Sequence, residues 1–254
     1  MSSAWADAAL RASGRAAFAS AWLAVLASFA PHAVVAAPGE DPFVLLPAPA
    51  GTDGPLVLLL SGDGDWAAFV RELAQLIVAR GAPVLGLKSR TWFSEPRTPE
   101  QSAALLETAL RGQLAAWNRK DVVIVGYSRG ADLVPFAVNR WSEELRARVR
   151  KIVLIGLSEG ASFEFHLEDL VRDVARPTDS PTRPEIEKLA AIPLVCVRGT
   201  EEEDSFCTRP VAGMRVVAHE GGHRATASSG TGAIVLKELG LEPRVDEHDA
   251  EHDA

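Results

Sequence analysis

The chain has 254 residues, 47% of them apolar and 24% charged, with 26 Lys plus Arg against 34 Asp plus Glu and a net charge of −8. This length and balance suit one α/β-type domain that buries a large core without a metal or a disulfide framework. They exclude low-complexity disorder, and they argue against a nucleic-acid binder, which needs a basic face to neutralise phosphates.

The first 37 residues read differently from the rest. Arg11 and Arg15 precede an Ala-rich apolar run from Ala16 to Ala30, and small residues follow up to Ala37-Pro38. A basic start, a short apolar stretch and small residues before a proline predict a signal peptide over residues 1–37, cleaved near Ala36, and hence a periplasmic protein. The run holds about 15 residues, short of the roughly 20 that span a bilayer; an uncleaved anchor is the alternative. From residue 38 to 240, apolar β-rich runs alternate with helical periodicity. Leu56 to Leu60 reads as a strand buried on both faces, Trp66 to Arg80 as a helix stopped by Gly81, and Pro83 to Leu87 as a second strand. Pro99 opens a helix with Leu105, Leu106, Leu110 and Leu114 on one face. Strands are predicted at 122–125, 152–155, 192–197 and 214–218, with helices at 131–141 and 231–239; Ser162 to Phe165 alternates like a further strand. Continuous apolar strands separated by helices predict a three-layer α/β fold with a mostly parallel central sheet. Residues 241–254, which repeat Glu-His-Asp-Ala, read as a disordered acidic tail.

Parallel sheets place their ligands at the carboxyl ends of their strands. Two such ends carry a G-x-S-x-G: Gly126-Tyr127-Ser128-Arg129-Gly130 and Gly156-Leu157-Ser158-Glu159-Gly160. By chance one such string is expected in roughly one protein of this size in ten, so context decides. A nucleophile elbow needs a strand, a tight turn and then a helix. Ser128 leads into a helical segment, whereas Ser158 leads into the alternating Ser162–Phe165 stretch, and Glu159 would set a carboxylate beside a developing oxyanion. Ser128 is therefore the candidate nucleophile, and a tight turn without chemistry is its alternative.

The partners should follow in the order serine, acid, histidine. His223 comes after Gly221-Gly222 beyond the last strand and is the candidate base; His219 falls within that strand and reads as structural. The acid is Glu202 or Asp204, both in the Glu201–Asp204 run after Gly199. Ser61-Gly62-Asp63-Gly64-Asp65-Trp66 follows the first long strand. Backbone N–H groups at Gly62 or Asp63, with that of Arg129, are the candidate oxyanion hole. Asp65, Trp66 and Asp132 are the candidate substrate-binding residues. No nucleotide cofactor is expected, because the glycine loop lacks a full nucleotide-binding fingerprint, and no metal is expected, because the His and carboxylates of the tail read as a solvated end.

Together, Ser61–Trp66, Gly126–Asp132, Phe163-Glu164-Phe165-His166, Asp204-Ser205-Phe206-Cys207 and Gly221-Gly222-His223 resemble the VirJ/AcvB family of exported bacterial proteins over roughly residues 44–240. The resemblance implies an α/β-hydrolase fold. It also implies serine-dependent cleavage of the aminoacyl ester of aminoacyl-phosphatidylglycerol, chiefly lysyl-phosphatidylglycerol, for AcvB-like members, and a link to virulence-protein export for VirJ-like ones. Asp65 stands where the family usually has glycine, and the extra N-terminal region of AcvB proteins is missing, so the chain looks like the short VirJ-like form. A lysyl ester carries positive charge, so the resemblance makes Asp63, Asp65 and Asp132 candidates to attract the headgroup, with helix or turn capping as the alternative for each. The segment from Glu159 to Ala191 lies where hydrolases often insert a cap; Phe163, Phe165, Leu167 and Leu170 are candidates to line it, with core packing the favoured role for most of them.

Cys196 and Cys207 are the only cysteines; in an exported chain an even pair reads as a disulfide that clips the acid-bearing loop, with two reduced buried thiols as the alternative. The leading expectation is a periplasmic serine ester hydrolase acting on a phospholipid or other small ester at the membrane surface. The alternatives are an esterase or acyltransferase of other specificity, and a non-catalytic accessory protein contacting a secretion system.

Overall fold

A computed structural model describes residues 40–170, 176–226 and 229–242. The expected signal peptide and the tail beyond Glu242 lie outside the described residues.

In chain order the elements are β1 (Phe43–Leu46), β2 (Leu56–Leu60), α1 (Ala68–Ala79), β3 (Val84–Leu87), α2 (Ser89–Trp92), α3 (Pro99–Ala116), β4 (Val122–Tyr127), α4 (Arg129–Arg140), α5 (Glu143–Arg146) and β5 (Val149–Ile155). There follow β6 (Gly160–Ala161), a 3-10 turn at Leu167–Leu170, β7 (Ser180–Pro181), α6 (Arg183–Glu187), β8 (Leu194–Gly199), a 3-10 turn at Phe206–Thr208, β9 (Arg215–His219) and α7 (Thr231–Glu238). Seven strands form one sheet in the order β1-β3-β2-β4-β5-β8-β9. Its neighbours run parallel throughout, except that β1 is antiparallel to β3.

Successive side chains of a strand point to opposite faces, so a strand covered on both sides must be apolar at every position. Leu56, Leu58 and Leu60 of β2, with Val122 and Ile124 of β4 and Ile152 and Leu154 of β5, pack on Leu106, Leu110, Leu133 and Ala137 of α3 and α4. The intervening residues Val57, Leu59, Val123, Val125, Val153 and Ile155 face Val70, Leu73 and Ile77 of α1 and Val235 of α7. Helix α3 starts where the sequence specifies it: Pro99 follows the Thr98 N-cap, whose hydroxyl accepts from the Gln101 N–H while the Gln101 side chain accepts from the Thr98 N–H.

Three expectations need correction. Ser162–Phe165 is not a strand. Only Gly160-Ala161 pairs, with Ser180-Pro181, and Phe163 and Phe165 turn inward onto the core. Leu167, a proposed lining residue, is instead 76% exposed. Leu241, assigned to the tail, belongs to the body, where its carbonyl accepts from Arg80 Nη1 at 2.9 Å and its side chain packs on the α1/α7 core.

Cys196 of β8 and Cys207 of the second 3-10 turn form a disulfide, and both are buried. It closes a loop with a sequence separation of 11, and a cross-link of that span stabilises by about 3 kcal/mol through the unfolded chain. Cys196→Ala with Cys207→Ala should lower the urea midpoint, with a slope no shallower than the wild type's because the uncross-linked chain unfolds further; an unchanged midpoint would show the bond to be irrelevant to stability.

Candidate active site

Strand β4 ends at Tyr127, α4 begins at Arg129, and Ser128 makes the whole turn between them, at φ 52° and ψ −124°. For a residue with a Cβ that conformation costs on the order of 1–3 kcal/mol and persists only where the surroundings impose it. Here the Ser128 N–H donates to the Ile155 carbonyl at 2.8 Å, and its own carbonyl accepts from Ala131 N–H at 2.7 Å and Asp132 N–H at 3.1 Å. The two flanking glycines are steric requirements. A methyl group at Gly130 would lie 2.4 Å from the Leu60 carbonyl oxygen, and one at Gly126 would lie 2.6 Å from the Ala131 Cα.

His223 Nδ1 lies 2.6 Å from Glu202 Oε1. A carboxylate only accepts, so Nδ1 carries the proton, and Nε2 is left to accept from the Ser128 hydroxyl at 3.0 Å. The second Glu202 oxygen accepts from the Gly199 N–H at 3.0 Å. Glu202 is buried, with 6% of its surface exposed. Burial works to raise its carboxyl, but the hydrogen bonds from His223 and Gly199 and the charges of His223 and His219 outweigh it and hold the carboxyl below the ordinary 4.5. Of the two candidate acids, Glu202 thus meets the imidazole; Asp204, two residues on, is exposed. His219 closes β9 in the core, with Nδ1 donating to the Glu220 carbonyl at 2.8 Å.

The second G-x-S-x-G has a different role. Gly156, at φ 63°, sits directly under the imidazole: a methyl there would approach His223 Cε1 to 2.8 Å. Ser158 leads into a two-residue strand, and its N–H donates to Asp132 Oδ1 at 2.8 Å. Gly156 therefore makes room for the histidine.

The residues expected to meet substrate each make a contact within the protein. Asp132 receives the Ser158 N–H. Asp65, at φ 57°, accepts from the Thr91 hydroxyl at 2.7 Å. Trp66 lays its ring over the glycine of β3, within 2.3 Å of where a Gly86 methyl would be. Asp63 forms a buried ion pair with Arg129, whose Nη1 also donates to the carbonyls of Ser162 and Glu164, each at 2.9 Å. The sequence reading missed the Arg129 side chain; its burial beside an elbow is visible only once Asp63 is folded against it. A groove of about 690 Å³ runs along the β1 edge between Phe43, Leu85, Trp92 and Leu105, and its lining includes none of Ser128, His223 or Glu202.

A hydroxyl hydrogen-bonded to an imidazole that is oriented by a carboxylate is an arrangement in which the imidazole accepts the hydroxyl proton as the oxygen attacks carbon. The family described as bacterial virulence protein (VirJ) matches residues 54–239. No curated protein matches the sequence. Among solved structures the chain is similar to MenH from S. aureus, with 12% identity and a TM-score of 0.53 over 78% of this chain and 98% of that one. It is also similar to the esterase domain of a Rhodothermus marinus protein, with 13% identity and a TM-score of 0.51 over 78% and 95%. A cold-adapted esterase from an Arctic intertidal metagenomic library gives 14%, 0.51, 76% and 83%. These likenesses establish the α/β-hydrolase fold.

Two outcomes follow from the geometry. Gly156→Ala should displace the imidazole and lower ester turnover at least about a hundredfold while circular dichroism stays native; full activity would remove Gly156 from the site. Glu202 has a lowered folded pKa, so the stability it contributes is complete above its ordinary 4.5 and is lost as pH falls through the lower folded value. Urea titrations of the wild type and Glu202→Gln should therefore differ by an amount that starts to shrink near pH 4.5 and keeps narrowing as pH falls further, and a difference that widens on acidification would contradict the sign.

Proposed function

The chain belongs to the VirJ family, and from that premise we propose that it is an exported serine ester hydrolase that cleaves the aminoacyl ester of aminoacyl-phosphatidylglycerol, such as the lysyl ester. The observation that carries this reading is the continuous hydrogen-bond chain from Glu202 through His223 to a serine on a strained strand–helix turn.

In this reading Ser128 Oγ attacks the ester carbonyl as its proton passes to His223 Nε2. Glu202 holds the ring in the correct tautomer and balances the imidazolium. The backbone N–H groups of Arg129 and of Gly62 or Asp63 receive the oxyanion. His223 then protonates the departing phosphatidylglycerol hydroxyl, leaving the amino acid esterified to Ser128. Water, deprotonated by the same imidazole, releases the amino acid and restores the serine.

A cationic aminoacyl group needs negative charge at the rim. Asp65 and Asp132 carry part of it beside the elbow, and the exposed Glu201, Glu203, Asp204 and Glu220, which lie on the loops carrying Glu202 and His223, add to it. The buried Cys196–Cys207 disulfide suits an oxidising compartment and supports export.

A fluorophosphonate probe should label the wild type and Ser158→Ala but not Ser128→Ala, and labelling of Ser128→Ala would overturn the nucleophile assignment. A strain lacking the gene should accumulate aminoacylated phosphatidylglycerol, which the wild-type gene clears and Ser128→Ala does not. Unchanged lipids with retained esterase activity would point to another ester. Full rescue of the deletion phenotype by Ser128→Ala would favour the accessory role.

A further inference from the structure

We propose that the side-chain pair of Asp63 and Arg129 is a latch that sets the geometry of the oxyanion hole, with Arg129 acting as a positioning residue through its side chain and as a donor through its backbone. The inference rests on the serine-hydrolase reading above.

The two donors required by that reading come from separate segments of chain. One is the N–H of Arg129, at the first position of α4, where helix N–H groups point outward along the axis. The other lies in the turn after β2, closed by the Asp65 N–H donating to the Gly62 carbonyl at 3.0 Å. The turn is tied to α2 on either side, where the Ser61 hydroxyl accepts from the Ser89 N–H at 2.9 Å and Asp65 accepts from the Thr91 hydroxyl at 2.7 Å, and the Gly62-Asp63 stretch between those ties is the part that must hold the spacing. Gly62 has no side chain, and a methyl there would lie 3.0 Å from Ser128 Cβ, so its backbone is already beside the nucleophile. Any sliding of the turn would change the distance between the two donors and the point where negative charge develops.

The Asp63 carboxylate accepts from Arg129 Nε, and both side chains are about 95% removed from solvent, at 7% and 5% exposure. The residue that supplies one donor thus grips by its own side chain the turn that supplies the other. The remaining guanidinium reach is spent on a third segment: Nη1 donates to Ser162 and Glu164 carbonyls, and the Phe93 ring faces the cation with the guanidinium carbon 5.9 Å from its centre. A planar fork with several fixed donors can serve a carboxylate and two carbonyls at once, whereas a lysine ammonium on a flexible stem cannot hold the same three in register. Two charges out of water are tolerated because each is paired, and a surface residue would anchor the turn far more loosely.

The test uses the whole chain with p-nitrophenyl acetate as substrate and phenylboronic acid as a probe whose adduct with Ser128 puts a boron hydroxyl in the oxyanion position. Asp63→Asn and Arg129→Lys should each lower kcat about ten- to a hundredfold with KM within about twofold, since a donor displaced by a fraction of an ångström is felt mainly in the transition state. The boronate inhibition constant should rise in parallel, and the double variant should be little worse than the poorer single. Where Asp63→Asn fails to fold, Asp63→Glu and Arg129→Lys, which keep both charges but change their reach, carry the same test. A lowered melting temperature with unchanged kcat and boronate affinity would overturn the latch and leave the hydrolase reading intact. A wild type that neither turns over ester nor binds boronate would end both.

Discussion

The site depends on how closely three pieces of backbone approach one another around Ser128. The ends of β2 and β4 and the first turn of α4 meet at distances that leave no room for a methyl group at Gly126 or Gly130. That crowding, with the hydrogen bonds on both sides of the Ser128 peptide, holds a serine at positive φ. A relaxed turn would let the hydroxyl drop back along the strand and out of reach of His223. The strain is local, and the apolar sheet beneath it offsets it: buried side chains on both faces of β2, β4 and β5 fix the strand ends.

From that fixed point the remaining groups are placed by their own loops. Glu202 sits three residues past the end of the core strand β8 and is doubly held, by the Gly199 N–H and by His223. His223 follows β9, lies over Gly156, and has Tyr127 stacked beside it with ring centroids 6.4 Å apart. A residue adjacent to the nucleophile thus helps orient the base, and the strand-end glycine of an apparently redundant motif provides its seat. The acidic residues around the site divide into two kinds. Those on the β2 turn and on α4 are committed to holding the architecture, and those on the β8 and β9 loops stay in solvent.

The sheet was legible because burial on both faces forces unbroken apolar runs, and such runs stand out in the sequence whatever surrounds them. The prediction of β2, β3, β4, β8 and β9 holds to within two residues, and so do the long helices, while β5 begins three residues earlier than expected, at Val149. Strand β1 escaped notice because four residues between prolines carry no periodicity, and its pairing with β3 exists only in three dimensions. Segment 162–165 alternates because Phe163 and Phe165 are needed in the core, a demand that mimics a strand without a partner to pair with. Spacing and order sufficed to bring residues 128, 202 and 223 into consideration. The destinations of Asp63, Asp65 and Asp132 were beyond reach, since a carboxylate in a glycine turn looks the same whether it faces a ligand, a hydroxyl or a buried guanidinium.

The rims of the sheet carry a consequence for behaviour at high concentration. An open strand edge is a template on which another copy can add strand after strand. Here one edge is the four-residue β1, bracketed by Pro42 and Pro47, whose nitrogens have no hydrogen to donate. The other is β9, five residues long, with the charge of Arg215 at its start and Gly221-Gly222 just past its end. Prolines at one rim, and a charge and a glycine pair at the other, thus restrict the flat, hydrogen-bonding length on which a second copy of the sheet could build.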